Sequence, residues 1–158
     1  RKVRATKRMS LLDVPEVLVI QLKRFTYTSE SLFGPTKVGR HIQFGSKLLL
    51  TKFLTDKQRK AFEAKKRECR ATLKSVVVHQ GTTVNSGHYY AYVLGSDGHS
   101  WFKMNDDMVT RVSLETVMKD EAYLLFYDVP RRSSSPPPPS VMIGPARPPT
   151  QLTSNASP

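Results

Sequence analysis

Residues 85–107, NSGHYYAYVLGSDGHSWFKMNDD, constrain the fold more than any other stretch of the chain. The run from His88 to Leu94 is aromatic and β-branched, a composition that suits a half-buried strand. Gly95-Ser96-Asp97-Gly98 is turn chemistry, and Trp101 to Met104 begin a second short strand. Two such runs across a short turn predict an antiparallel hairpin. That hairpin carries Asn105 back toward His88, so a histidine is expected to meet amide and carboxylate side chains.

The pairing has a chemical meaning. A histidine acts as a general base only when a partner on one ring nitrogen fixes the tautomer and leaves the other nitrogen's lone pair available. Asn105 and Asp106 are both suitable partners, and residue type alone does not choose between them. It equally allows an ordinary strand histidine beside a polar turn.

The remaining strand signals lie on either side of this stretch. Val17 to Phe25 is a near-continuous apolar run that turns basic at Lys23-Arg24, the pattern of a core strand buried on both faces. Ile42 to Phe44 and Leu48 to Leu50 read as short strands, Leu73 to His79 as a strand around Val76-Val77-Val78, and Met108 to Val112 as another. Ser113 is placed to cap a short helix through Met118, and Ala122 to Tyr127 reads as a closing strand. Residues 26–39 hold glycine, proline and serine among few apolar residues and predict an irregular loop. Gln80 to Gly87 is a second polar loop, leading directly into His88.

One segment has the opposite character. From Thr55 to about residue 71 the chain is built of good helix formers, with Thr55 and Gln58 spaced for a capping box. Nine Lys or Arg lie between Lys52 and Lys74, and they account for much of the net charge of +12. With only Ala61 and Phe62 as apolar anchors, this is expected to be a solvated basic helix inserted between strands. A nucleic-acid surface is the less favoured reading, because no aromatic residues are interleaved for base stacking. Cys69, between Arg67 and Arg70, has no oxyanion-hole pattern around it and is not expected to be a reactive thiol.

The 158 residues, 39% of them hydrophobic, suffice for one domain with a real core. The organisation expected is a domain over 1–130 and a Ser/Pro-rich disordered tail over 131–158, with an SH3-type partner for Arg147-Pro148-Pro149 as a weaker reading. No apolar run approaches the ~20 residues of a membrane-spanning helix, and no apolar signal follows the basic start, so the expected location is intracellular, in cytoplasm or nucleus. A single cysteine permits no internal disulfide and no Cys-x-x-Cys zinc site; no metal or cofactor is implied. His41, His79 and His99 show no ligand spacing, and His79, ending an apolar strand, is expected to be a hydrogen-bonded structural residue.

Five blocks in order carry a resemblance: VLVIQLKRF (17–25), SVVVH (75–79), NSGHYYAYV (85–93), WFKMNDDMV (101–109) and AYLLFYDV (122–129). Together they resemble the C-terminal half of the catalytic domain of ubiquitin-specific proteases, which are ubiquitin carboxyl-terminal hydrolases. The resemblance implies an α+β fold of papain-like cysteine-protease type, here its palm half, an antiparallel sheet without the N-terminal helical thumb and most of the fingers. It implies a cysteine-type deubiquitinase that hydrolyses isopeptide bonds at the C-terminal glycine of ubiquitin, with ubiquitin and ubiquitinated proteins as partners. His88 would be the base, Asn105 the third triad member and Asp106 a neighbour able to share that role. The loop 80–87 would be one of two that close over the ubiquitin tail, so Gln80, Asn85, Ser86, Gly87 and Tyr89 are the expected substrate contacts. The family's nucleophile block, of the type Gly-x-Thr-Cys-Tyr-x-Asn, has no counterpart here, and its zinc cysteines look cut off rather than mutated. The 158 residues alone are therefore expected to be catalytically silent. The alternative is an inactive ubiquitin-binding module that keeps the recognition loops.

Overall fold

In the computed structural model, residues 3–26, 35–83 and 86–130 are described. The expected tail and its SH3-type segment lie outside them. The elements in chain order are β1 (Val17–Gln21), β2 (Phe25–Thr26), β3 (Thr36–Lys37), β4 (Lys47–Leu49), α1 (Asp56–Ala64), β5 (Arg70–Gln80), β6 (His88–Leu94), β7 (Trp101–Asn105), β8 (Met108–Val112), α2 (Leu114–Lys119) and β9 (Ala122–Asp128). Seven strands form one antiparallel sheet in the order β1-β9-β5-β6-β7-β8, with β4 also pairing β5; β2 and β3 make a separate two-stranded ribbon. The α+β class expected from the sequence is thus observed, with few helices against a dominant sheet.

The long strand β5 is the spine. Its buried residues change parity along its length, from Ala71 and Leu73 to Val76 and Val78. The cause is a register shift against β9 between Leu73 and Ser75, since one extra residue turns every later side chain to the other face. Simple alternation could not have revealed this. Around β5 the core collects Leu50, Leu54, Tyr92, Trp101, Leu125 and Tyr127, and each fully buried side chain of this size contributes about 1.5–3 kcal/mol.

The segment 17–25 departs from expectation. It is not a strand buried on both faces: β1 ends at Gln21, pairs among the described residues only with β9, and leaves Val17 and Val19 about half exposed (55% and 50%). At a sheet edge only Leu18 and Ile20 face the core, and that alternation is invisible when both faces are apolar in sequence. Arg24, read as a strand end emerging into water, is instead 1% exposed. Its guanidinium donates to the carbonyls of Ala122 (2.5 Å), Val38 (2.9 Å) and Arg40 (2.8 Å), tying the segment before β4 to the start of β9.

Two further local expectations change. Residues 42–44 form no strand, although Phe44 is buried. The basic helix stops at Ala64 rather than near residue 70. Lys66 adopts a left-handed φ of 48°, the Lys66 N–H bonds Glu63 O and the Arg67 N–H bonds Phe62 O, a Schellman closure without the glycine that usually marks one. Nor is the start a capping box. The Thr55 hydroxyl donates to Gln58 Oε1 (3.1 Å), the Thr55 N–H donates to Leu11 O, and Gln58 Nε2 donates to Leu12 O. The preceding segment has docked there, through a parallel bridge of Leu11 to Leu54, and taken the donors. The helix is otherwise as expected, an exposed basic surface with Phe62 packed on the core. At α2 the predicted cap is present: the Ser113 hydroxyl accepts from the Thr116 N–H at 3.1 Å.

Candidate active site

The hairpin of β6 and β7 pairs Ala91 with Met104 and Leu94 with Trp101. One further step in that register sets Asn105 level with Tyr90. Residues level across an antiparallel pair share a face, as do i and i+2 on one strand, so His88 and Asn105 are diagonal neighbours. The side chains meet, with His88 Nε2 2.5 Å from Asn105 Oδ1. An amide oxygen only accepts, so Nε2 carries the proton and Nδ1 keeps its lone pair in the neutral ring. Such a ring accepts a proton at Nδ1 while Nε2 stays anchored.

Asp106 follows in the two-residue turn between β7 and β8, at a left-handed φ of 52° that aspartate tolerates better than most residues. Its Oδ2 lies 3.7 Å from His88 Nε2, beyond hydrogen-bonding distance, and its side chain is 76% exposed against 44% for His88. The two candidate partners are therefore not equivalent: Asn105 touches the ring and Asp106 stands behind it in water.

The residues expected to contact substrate flank this pair. Gln80 is opposite His88 in the β5–β6 ladder, and Tyr89, 52% exposed, is opposite His79. Ser86 and Gly87 lie just before β6 and are exposed; the Ser86 carbonyl is 3.5 Å from the Thr83 hydroxyl. Asn85 falls outside the described residues.

Beneath the loop is a group that sequence reasoning undervalued. His79 is 1% exposed, and its ring packs against Tyr89 (4.7 Å between centroids), Phe25 (5.5 Å) and Tyr123 (6.5 Å). Its backbone carbonyl accepts from Lys37 Nζ at 2.7 Å, and the same ammonium pairs with Glu121 Oε2 at 3.0 Å. His79 is thus a structural residue hydrogen-bonded through its backbone carbonyl, while its ring Nδ1 has no hydrogen-bond partner among the described residues and the ring is held by packing. Burial, and secondarily the Lys37 ammonium, push its pKa down. The signal that could have found it is the aromatic set Phe25, Tyr89 and Tyr123, which only strand pairing brings together.

A second network underlies the hairpin. The hydroxyls of Tyr90 and Tyr92 both donate to Asp120 Oδ2, at 2.8 and 2.7 Å, and Lys103 Nζ sits 3.9 Å from the centre of the Tyr90 ring. Burial first, and then the Asp120 carboxylate, push both phenols up. Tyr90 and Tyr92 are thereby neutral donors that brace β6 against the end of α2. Elsewhere, His99 is exposed in the β6–β7 turn beside Asp97, and the His41 ring lies tilted at 45° to that of Phe44, 6.5 Å away.

Cys69 is buried and immediately precedes β5, whereas His88 pairs with the last residue of that strand. Eleven extended residues separate the two ends by roughly 35 Å, which removes Cys69 as a partner for His88. Among the described residues no three His, Cys, Asp or Glu side chains converge as metal ligands, and no helix is long and apolar enough to cross a membrane.

Comparison with known proteins places these elements in a family. The family model "Ubiquitin carboxyl-terminal hydrolase" matches residues 2–127. The chain is 41% identical over 125 residues to ubiquitin carboxyl-terminal hydrolase 25 of Arabidopsis thaliana, covering 79% of this chain and 17% of that protein. It is 38% identical over 128 residues to human ubiquitin carboxyl-terminal hydrolase 3, covering 80% and 23%. Among solved structures, the SAGA Ubp8/Sgf11/Sus1/Sgf73 DUB module bound to ubiquitin aldehyde superposes with a TM-score of 0.66 at 36% identity, over 77% of this chain and 26% of that one. The chain thus spans about a quarter or less of the proteins it matches, and its antiparallel sheet is the palm half of their fold. With four-fifths of its length inside the family match, this chain belongs to the ubiquitin carboxyl-terminal hydrolases.

Proposed function

We propose that this chain supplies the general base and its orienting amide to a cysteine-type deubiquitinase that hydrolyses isopeptide bonds at the C-terminal glycine of ubiquitin. The observation that carries the reading is the His88–Asn105 contact, which fixes the Nε2–H tautomer and leaves Nδ1 as a base. In the reaction Nδ1 takes the proton of a thiol supplied by another part of the polypeptide. The thiolate adds to the glycine carbonyl, and Nδ1 then returns the proton to the departing lysine amine. Water then attacks the resulting thioester as Nδ1 accepts its proton, and the C–S bond breaks to release the ubiquitin carboxylate and a thiolate that takes the proton back from Nδ1. The Asn105 amide carries no charge, so the exposed Asp106 carboxylate contributes weakly to holding the imidazolium.

The substrate half of the reading rests on Gln80, Ser86, Gly87 and Tyr89, exposed residues that border His88 where an extended glycine-ended peptide approaches. The matched SAGA DUB module holds ubiquitin aldehyde, which supports ubiquitin as the partner here. A second reading, a ubiquitin-binding module without hydrolysis, is favoured by the burial and remoteness of Cys69. The working site of either is intracellular. The test is His88→Ala in the full-length polypeptide carrying this chain, assayed on di-ubiquitin. Loss of cleavage with ubiquitin binding retained supports the enzyme; cleavage that survives the substitution sinks the assignment.

A further inference from the structure

The buried His79 ring faces the underside of the loop that leads to His88. A Cβ placed on Gly87 would overlap His79 Nε2 and come within 2.7 Å of Cε1; one placed on Gly81 would come within 3.1 Å of the same Cε1. The two glycines therefore close over the imidazole from both ends of the loop. From the other side the ring is held by Phe25 on β2, Tyr123 on β9 and Tyr89 on β6, and Tyr89 and Tyr123 also contact one another at 6.2 Å. No hydrogen bond of the ring is needed for this. The arrangement is a plug: an uncharged flat group that fixes how low Gly87 can sit and where Tyr89 points.

We propose that His79 is a positioning residue for the substrate tail, acting as the neutral floor on which Gly81, Gly87 and Tyr89 are set beside His88. The inference rests on the deubiquitinase reading and deepens it, since it assigns to a buried side chain the shape of the channel for the glycine-ended peptide. Neutrality is essential to the role. A proton on His79 would put a second cation in a ring-lined pocket next to Lys37, which already pairs with Glu121. The titratable groups around His79 are Lys37 on β3, which donates to its backbone carbonyl, Glu121 ahead of β9, which pairs with Lys37, and Tyr123 on β9 and Tyr89 on β6, whose rings contact the imidazole as Phe25 on β2 does. Of these, Glu121 alone is a carboxylic acid, and it is already engaged by Lys37. Protonation of His79 therefore disfavours the packed positions of Gly87 and Tyr89 on the ring, weakening substrate binding while the His88–Asn105 pair stays intact.

The test uses the full-length polypeptide and a fluorogenic amide at the C-terminus of ubiquitin, with KM and kcat separated. Gly87→Ala is expected to raise KM about tenfold or more in the native background and by at least about threefold less beside His79→Ala, which removes both contacts with the imidazole and leaves the one with the Gln80 carbonyl at 2.8 Å. In a second arm, KM of the native enzyme holds at the ordinary imidazole value of about 6.5 and rises only lower, as pH approaches the depressed pKa of the buried His79, and His79→Asn, neutral at every pH, abolishes that rise. Equal Gly87→Ala penalties in both backgrounds, or an unchanged acid rise of KM in His79→Asn, would overturn the role of His79. If Gly87→Ala fails to fold, the His79→Asn profile alone decides. A native polypeptide that binds ubiquitin without cleaving it defeats the deubiquitinase reading separately. The plug is then judged by ubiquitin affinity and by melting temperature, where equal losses for Gly87→Ala with and without His79→Ala would refute it.

Discussion

The two candidates for orienting His88 make unequal contacts, and their replacement is expected to have unequal effects. Asn105 Oδ1 is 2.5 Å from Nε2 and half-buried in the hairpin. Asn105→Ala removes one hydrogen bond, about 0.5–1.5 kcal/mol net, and releases the ring to rotamers in which Nδ1 no longer faces the thiol, a positional loss of similar or larger size. At about 1.4 kcal/mol per decade the sum is a fall in kcat of about 10–100-fold. Asp106 contributes only through space. A unit charge about 4 Å from an imidazolium in water is worth about 1 kcal/mol, and less at physiological salt. With Oδ2 at 3.7 Å on a side chain 76% exposed, Asp106→Ala is expected to lower kcat by no more than about fivefold. Its effect should shrink as ionic strength is raised, whereas that of Asn105→Ala should not. The measurement is kcat at two salt concentrations on a ubiquitin C-terminal amide, in the full-length polypeptide. An Asp106→Ala loss larger than that of Asn105→Ala would show that the carboxylate moves onto the ring during turnover and that the resting contact is misleading.

Three further outcomes concern stability. Arg24→Lys keeps the charge but cannot span three carbonyls, so it is expected to cost about 2–4 kcal/mol in urea unfolding; a change below about 0.5 kcal/mol would mean that water replaces these bonds. Ser113→Ala leaves the Thr116 N–H without its cap and is expected to cost about 1 kcal/mol by the same assay, with Ser113→Asp restoring most of it. Because burial lowers the pKa of His79, the unfolded chain binds more protons than the folded one just below about pH 6.5. Stability is therefore expected to fall as pH drops from there toward the folded-state pKa and to level off beneath it. His79→Asn should remove that part of the slope in melts recorded on either side of the ordinary imidazole value.

The hairpin and its consequence are legible in the sequence because both are local: aromatic strands, a Gly-Ser-Asp-Gly turn and a ladder of fixed period bring residues 88 and 105 together without reference to the rest of the chain. The Ser113 cap is legible for the same reason. What is illegible depends on partners distant in sequence. Val17 and Val19 look like core residues until β1 is known to be an edge strand. Arg24 looks like a solvated strand end until the carbonyls of Ala122, Val38 and Arg40 surround it. Lys66 gives no composition cue for the left-handed turn that ends α1. His79 reads as a structural histidine awaiting a hydrogen bond, and the rings that hold it come from β2, β6 and β9.

The same division between local and distant contacts separates chemistry from recognition in this half-site. The proposed base, His88, and its amide, Asn105, sit on one hairpin, with Tyr90 and Tyr92 bracing β6 through Asp120. Their relative position is set by a short turn and survives small shifts elsewhere. Gly81 and Gly87 close on His79, and the His79 ring packs on Phe25 and Tyr123, which reach it through the pairing of β5 with β9 and the ribbon of β2 and β3. Loosening the far side of the sheet therefore moves the two glycines before it moves the base. Tyr123 stands on β9, separated in the sheet from β7 and its Asn105 by both β5 and β6. Tyr123→Ala is on this argument a binding variant rather than a chemical one, and its KM is expected to rise while kcat stays within about threefold of native. A Tyr123→Ala enzyme that lost kcat and kept its KM would mean that the far strands and the catalytic pair form one mechanical unit, against the separation argued from the contacts.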